Sequence, residues 1–143
     1  MKLIKHLLDS HGRHIVSVPP DTTVLEAITV MADKTIGSLV IMDDDELLGI
    51  ITERDYARKV IIKGRSSRTT LCSEIMTTGV FTTSSSETVN SCMALMTEKR
   101  IRHLPVVEDN RVIGMVSIGD LVEAIISDQK EEIEQLGQYI SGQ

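Results

Sequence analysis

Aromatic residues are almost missing from this chain: its 143 residues include two tyrosines, one phenylalanine and no tryptophan, 2% in all. Platforms that stack the bases of single-stranded nucleic acid need such rings. The charge points the same way: 15 Lys and Arg stand against 21 Asp and Glu, and a net charge of −6 lacks the basic footprint of a nucleic-acid binder. Cysteine is scarce too, and Cys72 and Cys92 cannot build a disulfide framework or a four-ligand zinc site. No apolar run approaches the ~20 residues that span a bilayer. The start, Met1-Lys2-Leu3-Ile4-Lys5-His6, has neither a long apolar stretch nor a small-residue cleavage site. These absences lead us to expect a soluble, reduced, cytoplasmic protein with no nucleic-acid or membrane partner. What is present is a 41% apolar composition, so the core must be built from Ile, Val and Leu, with seven methionines filling its gaps.

The organisation follows from an internal repeat. Residues 15–60 lie over residues 80–125 at a constant offset of 65, without a gap. Identities include Thr23/Thr88, Val24/Val89, Met31/Met96, Lys34/Lys99, Ile36/Ile101, Leu39/Leu104, Gly49/Gly114 and Asp55/Asp120. Each copy reads as a short strand (15–18 or 80–83), then a helix opened by Thr23 with Glu26 at capping-box spacing, or by its counterpart Thr88. Two apolar runs follow, split by Asp43-Asp44-Asp45-Glu46 or Glu108-Asp109-Asn110-Arg111, which predicts a β-hairpin. A second helix begins near Glu53 and near Ile118. The fold class expected is therefore α/β (α+β), two pseudo-symmetric strand–helix–strand–strand–helix units packed sheet to sheet, because one such unit is too small to bury a two-sided sheet alone. The boundaries read as an N-terminal helix at 1–12 (Leu3, Ile4, Leu7 and Leu8, stopped near Gly12), the first repeat at 13–66 and a linker at 67–79. The second repeat follows at 80–128, and a C-terminal helix at 129–143 carries Ile133, Leu136 and Ile140 and is interrupted by Gly137. Both ends are placed outside the repeat.

The chemistry concentrates in two matched segments, Gly49-Ile50-Ile51-Thr52-Glu53-Arg54-Asp55 and Gly114-Met115-Val116-Ser117-Ile118-Gly119-Asp120. The glycine permits a close backbone approach. The hydroxyl falls where strand passes into helix and the acid in the first helical turn. Two roles fit: Thr52 and Ser117 as N-caps with Asp favoured by the helix dipole, or a clamp in which the carboxylate accepts from two sugar hydroxyls beside a helix N-terminus that favours phosphate.

Together with Leu104-Pro105-Val106-Val107 and Glu74-Ile75-Met76-Thr77, these segments make the chain resemble a tandem CBS-domain module, the family named after cystathionine beta-synthase, from about residue 10 to 127. It is especially similar to small stand-alone two-repeat proteins, through Thr-Glu-Arg-Asp-Tyr-Ala-Arg-Lys at 52–59. The resemblance implies a non-catalytic regulatory module that binds an adenosine nucleotide, AMP first and ATP, ADP or NAD(H) next, in clefts between the repeats, and a homodimer acting on a regulated protein. It implies that Asp55 and Asp120 hold the ribose, supported by Thr52 and Ser117. The base would lie against Ile15, Val16 and Val18, or Val80, Thr82 and Thr83, with Arg102 and His103 at the phosphates. The first copy has the uncharged Gly37-Ser38 opposite Arg102-His103, and Arg54 and Arg58, one turn apart on a helix, are its substitute cations. The two sites are therefore not equivalent. The alternative is a ligand-free structural dimerisation and interaction module.

Other signals read as structural. His6, His11 and His14 lack converging ligands for a metal, the acid run at 43–46 lacks the EF-hand loop pattern, and Cys92 lies on an apolar helix face as a buried thiol. No nucleophile–base pair, P-loop or paired-carboxylate spacing provides for catalysis, so no enzyme and no required cofactor or metal is expected. The Leu3/Leu7 face and the Ile133/Leu136/Ile140 face offer apolar surface for a dimer.

Overall fold

The structure, a computed structural model, describes residues 2–11 and 15–140. The chain forms two compact units, one built from His14–Phe81 with Glu108–Ile113, the other from Met1–Arg13, Thr82–Val107 and Gly114–Gln143. The architecture is mixed α/β, with helices alternating with a three-stranded sheet and a two-stranded hairpin.

The offset of 65 is kept residue for residue in the first helices. Helix α2 (Val24–Lys34) starts where Thr23 Oγ1 accepts the Glu26 N–H at 3.2 Å. Helix α5 (Val89–Lys99) starts where Thr88 Oγ1 accepts the Ser91 N–H at 3.0 Å. Both end on a residue in the left-handed region, Thr35 and Arg100, each at φ 56°. The hairpins match too: β2 (Ser38–Asp43) with β3 (Glu46–Thr52), and β4 (His103–Glu108) with β5 (Arg111–Ser117). Their tips, Asp44-Asp45 and Asp109-Asn110, all have positive φ. That is the twist a two-residue hairpin turn demands, and Asp and Asn tolerate it better than other side chains.

The expected first strands differ. In copy one, only Ser17–Val18 forms a strand, β1, parallel to β2, with the Val40 N–H donating to the Val16 carbonyl. In copy two, the expected strand at 80–83 is reduced to one bridge between Thr83 and Val106. Pro105 occupies the position equivalent to Val40, and proline has no N–H to repeat the bond.

The N-terminal segment is not outside the duplication, which corrects the sequence expectation for that end. Residues 2–8 do for copy two what 70–76 do for copy one, at an offset of 68. Leu3 bridges Thr88 as Leu71 bridges Thr23. The Ile4 and Lys5 amides donate to Glu87 and Ser85 as Cys72 and Ser73 donate to Thr22 and Pro20. The Leu3 N–H donates to His6 Nδ1 at 3.0 Å, and the Leu71 N–H to Glu74 Oε2 at 2.6 Å. Helix α1 (Ile4–His11) thus docks by its apolar face, with Ile4, Leu7 and Leu8 buried, so Leu7 is not the dimer surface expected of it. The expected stop at Gly12, and His14 of the histidine group, lie outside the described residues. The counterpart segment forms α4 (Cys72–Ile75), which closes the core of Val24, Ala27, Met31, Leu39, Ile41, Ile51 and Val60. Burial of each such aliphatic side chain stabilises by about 1.5–3 kcal/mol.

The second helices diverge. Helix α3 (Glu53–Tyr56) passes into a π-helical turn, Ala57–Ile61, and stops. Helix α6 (Ile118–Ile140) runs for 23 residues, straight through Gly137, where a break was expected. An interior glycine costs about 1 kcal/mol of helix propensity, too little to end so long a helix.

Candidate functional site

Each strand-to-helix turn is a capping arrangement built on the matched hydroxyl and acid. At Ser117, the main-chain N–H donates to Asp120 Oδ2 at 2.9 Å, and the Asp120 N–H donates back to Ser117 Oγ at 3.1 Å. At Thr52, the N–H donates to Asp55 Oδ2 at 3.0 Å, and the Asp55 N–H to Thr52 Oγ1 at 3.1 Å. The cap is therefore real in both copies, and it occupies one carboxylate oxygen in each. The residue before each hairpin is fixed to the same turn, since Gly37 and Arg102 accept through their carbonyls from the Glu53 and Ile118 amides at 3.1 and 2.8 Å. Arg102 is in this way brought to the Ser117–Asp120 turn.

The second oxygen separates the copies. Asp55 Oδ1 accepts from Thr77 Oγ1 at 3.3 Å and pairs with Lys59 Nζ at 3.1 Å, and the Asp55 side chain is only 13% exposed. The same Lys59 ammonium donates to the Ile75 carbonyl at 2.9 Å. Asp120 makes no such contacts among the described residues, because Ala124 stands in the place of Lys59. Instead Ala124, with Leu7, Lys2, His6, Glu123 and Ser127, lines a cleft of about 140 Å³. Thr77 also has no equivalent: after α4 the chain extends and pairs Thr77 with Ile50, whereas α1 continues as helix through His11.

The repetition of the glycine in both copies has a packing reason. A Cβ on Gly49 would lie 2.8 Å from the Thr77 carbonyl, and one on Gly114 would lie 2.6 Å from Leu8 Cδ2. Each glycine admits its own leader segment.

The remaining sequence-selected residues fall as follows. Thr83 is half-buried with its hydroxyl 3.1 Å from Cys92 Sγ, and Thr82 is exposed. Ile15, Val16, Val18 and Val80 are half-buried, His103 opens β4 half-buried, and Arg102 is exposed. Arg54 in α3 and Arg58 in the π-helical turn are exposed, with no ion pair among the described residues. Sequence reasoning missed Lys59 and Thr77. Lys59 was legible as the cation one turn after Asp55; Thr77 was not, because its contact depends on the linker's path. Both thiols are buried. Burial, with Glu26 adding to it, pushes Cys72 up to about 11. Burial also raises Cys92, against the lowering bond from Thr83.

The model of the CBS domain matches this chain twice, over residues 7–62 and 72–127. The chain belongs to the CBS-domain family. The two matches keep the offset of 65 that relates the copies. Among CBS proteins, the mitochondrial CBS domain-containing protein CBSX3 of Arabidopsis thaliana is 46% identical over 127 residues, which are 85% of this chain and 62% of that one. The chain thus spans less than two thirds of that relative's length. A protein with CBS domains from Burkholderia ambifaria has a solved structure that matches with a TM-score of 0.85 at 46% identity, covering 90% of this chain and 96% of that one. The CBS domain pair of protein MJ0100, solved in complex with 5′-methylthioadenosine and S-adenosyl-L-methionine, matches with a TM-score of 0.77 at 27% identity, covering 90% and 98%. None of the described helices is long and apolar enough to cross a membrane.

Proposed function

We propose that this CBS pair is a non-catalytic regulatory module that binds an adenosine-derived ligand, AMP in the first instance, at the strand-to-helix turn of its second copy. The observation that carries the proposal is the state of Asp120. One oxygen is spent on the Ser117 cap, and the other has no partner among the described residues. A half-buried carboxylate oxygen beside a helix N-terminus suits a pair of ribose hydroxyls, and Ser117 supports the sugar. Arg102, held at this turn by its carbonyl, and His103 next to it suit the phosphates, since both donate from ring or guanidinium N–H groups. For the base, the segment of Val80, Thr82 and Thr83 is the one that the family resemblance implies. The adenosine-type ligands of the MJ0100 pair support this choice of ligand class.

In the first copy, the alternative of a structural turn is favoured. There Thr77 and Lys59 already take the free oxygen of Asp55, and no cation stands at Gly37-Ser38. Thr52 serves the cap, and Val16 and Val18 pack against the core. One ligand per chain follows. Binding would act on a regulated protein by favouring one conformation through differential affinity, within a cytoplasmic homodimer. Titration calorimetry with AMP, ADP, ATP and NAD(H) tests the proposal. One site per chain is expected, and ligand at 100 times its Kd should add roughly 2.7 kcal/mol to stability. No heat and no thermal shift with any of them at millimolar concentration would leave the structural module in its place.

A further inference from the structure

The long α6 helix leaves the second unit with its last turns bare. Every residue from 129 to 140 is exposed, including three aliphatic side chains at one-turn spacing: Ile133 at 68%, Leu136 at 60% and Ile140 at 82%. Exposed apolar side chains in such a row are a docking stripe, not the ordinary scatter of surface residues. Glu131, Glu132 and Glu134 flank it, and none of them makes an ion pair among the described residues.

A surface of opposite charge lies in the other unit. Residues 54–68 hold six of the chain's 15 Lys and Arg but only one of its 21 acids. Lys59 and Arg65 are spent on Asp55 and Glu74. Arg54, Arg58 and Lys63 are exposed and unpaired among the described residues. Beside them, where α3 ends in its π-helical turn, stand two exposed aliphatic side chains, Ile61 at 58% and Ile62 at 75%. An acidic helix with an apolar stripe and a basic surface with an apolar tip are complements.

We propose that the α6 tail of one copy docks on the Arg54/Arg58/Ile61/Ile62/Lys63 surface of a second copy, and that the second copy returns the contact. One such contact is too small to hold a complex, since a stable interface buries about 1,200–2,000 Å². Reciprocal exchange about a two-fold axis doubles it and closes the assembly, leaving no free tail to propagate a chain. This proposal assigns a surface to the homodimer and does not depend on the ligand.

Sedimentation of this 143-residue chain at low and high salt tests it. A dimer at low salt that dissociates with added salt is expected, because the flanking charges are screened. The double variant Ile133→Glu with Leu136→Glu should weaken dimerisation by about 100-fold, as loss of apolar anchors does. Arg58→Glu with Lys63→Glu should weaken it about 10-fold, and adding Glu131→Lys with Glu132→Lys should restore it to within a few-fold. Circular dichroism confirms that each variant is folded, as expected for changes at exposed positions. A monomer at hundreds of micromolar overturns the proposal, as does a dimer indifferent to the tail variants. So does charge reversal whose effects add instead of cancelling, or a basic surface that captures anionic vesicles while the chain stays monomeric.

Discussion

The two aspartates occupy equivalent positions in the duplication, so removing each in turn measures what the copies have come to do differently. Asp55→Ala deletes the acceptor for the Thr52 amide, the acceptor for the Thr52 and Thr77 hydroxyls, and the Lys59 pair. The capping arm is worth about 1 kcal/mol. The two hydroxyls, which can turn to water instead, contribute about 1 kcal/mol together. The ion pair, with Lys59 substantially exposed, adds about 0.5 kcal/mol. The cost is about 2.5 kcal/mol. Asp120→Ala deletes only the capping arm at Ser117, so it should cost about 1 kcal/mol. Urea unfolding with a shared slope reads the difference of about 1.5 kcal/mol directly, and in a thermal scan it is about 5 °C. Binding should sort the other way: Asp120→Ala abolishes the AMP response, while Asp55→Ala keeps it. Equal stability losses would show that the extra contacts of Asp55 carry no net energy. An AMP response that survives Asp120→Ala would remove the ribose from that carboxylate altogether.

Two further perturbations follow from packing and from burial. Gly49→Ala should destabilise by about 3 kcal/mol and Gly114→Ala by about 1 kcal/mol. The first drives a methyl group into a backbone carbonyl held by the Ile50–Thr77 bridge, the second only into the end of Leu8, which can rotate away; denaturant midpoints of both variants give the order. Cys72 keeps its proton in the fold up to about 11, while in the unfolded chain it ionises from about 9. Between those values the native state binds more protons, so stability must fall as pH rises, by up to about 1.4 kcal/mol per pH unit, and Cys72→Ala should flatten that slope.

Most of the fold was legible because the offset of 65 carries its own punctuation. Thr23 and Thr88 cap, Asp44-Asp45 and Asp109-Asn110 turn, and the apolar positions between them keep their register. The leader segments escaped because they repeat at 68, and among residues 2–8 only Leu3 is identical to its counterpart, Leu71. The signal was there in weaker form: positions 3, 4, 7 and 8 are apolar, as are 71, 72, 75 and 76. The lost strand at 80–83 was also readable from Pro105, which has no N–H to donate to it. At the strand-to-helix turns the hydroxyl and the acid cap the helix in both copies, one of the two roles their spacing allows. What distinguishes the copies lies in Lys59 and Thr77, one a turn away along the helix and the other brought in from the linker.

The exchange of Lys59 for Ala124 makes this difference testable in the forward direction. In copy one, the lysine ammonium reaches both the carboxylate of its own helix and the Ile75 carbonyl of its leader, and so closes the turn. In copy two, the short side chain of Ala124 leaves the cleft of about 140 Å³ beside the leader's Leu7. Ala124→Lys puts a four-carbon stem into that space and a cation within reach of Asp120. The cleft has room for the stem, so stability should change by less than about 1 kcal/mol. The ammonium competes for the oxygen that the ribose needs, so AMP affinity should fall by at least about 10-fold, or 1.4 kcal/mol. Lys59→Ala removes one of the two partners of Asp55 Oδ1 and leaves Thr77 in place; no arginine stands at Gly37 either, so the stoichiometry should stay at one ligand per chain. Undiminished affinity in Ala124→Lys, with the fold intact, would mean that the open oxygen of Asp120 is not where the ligand is held.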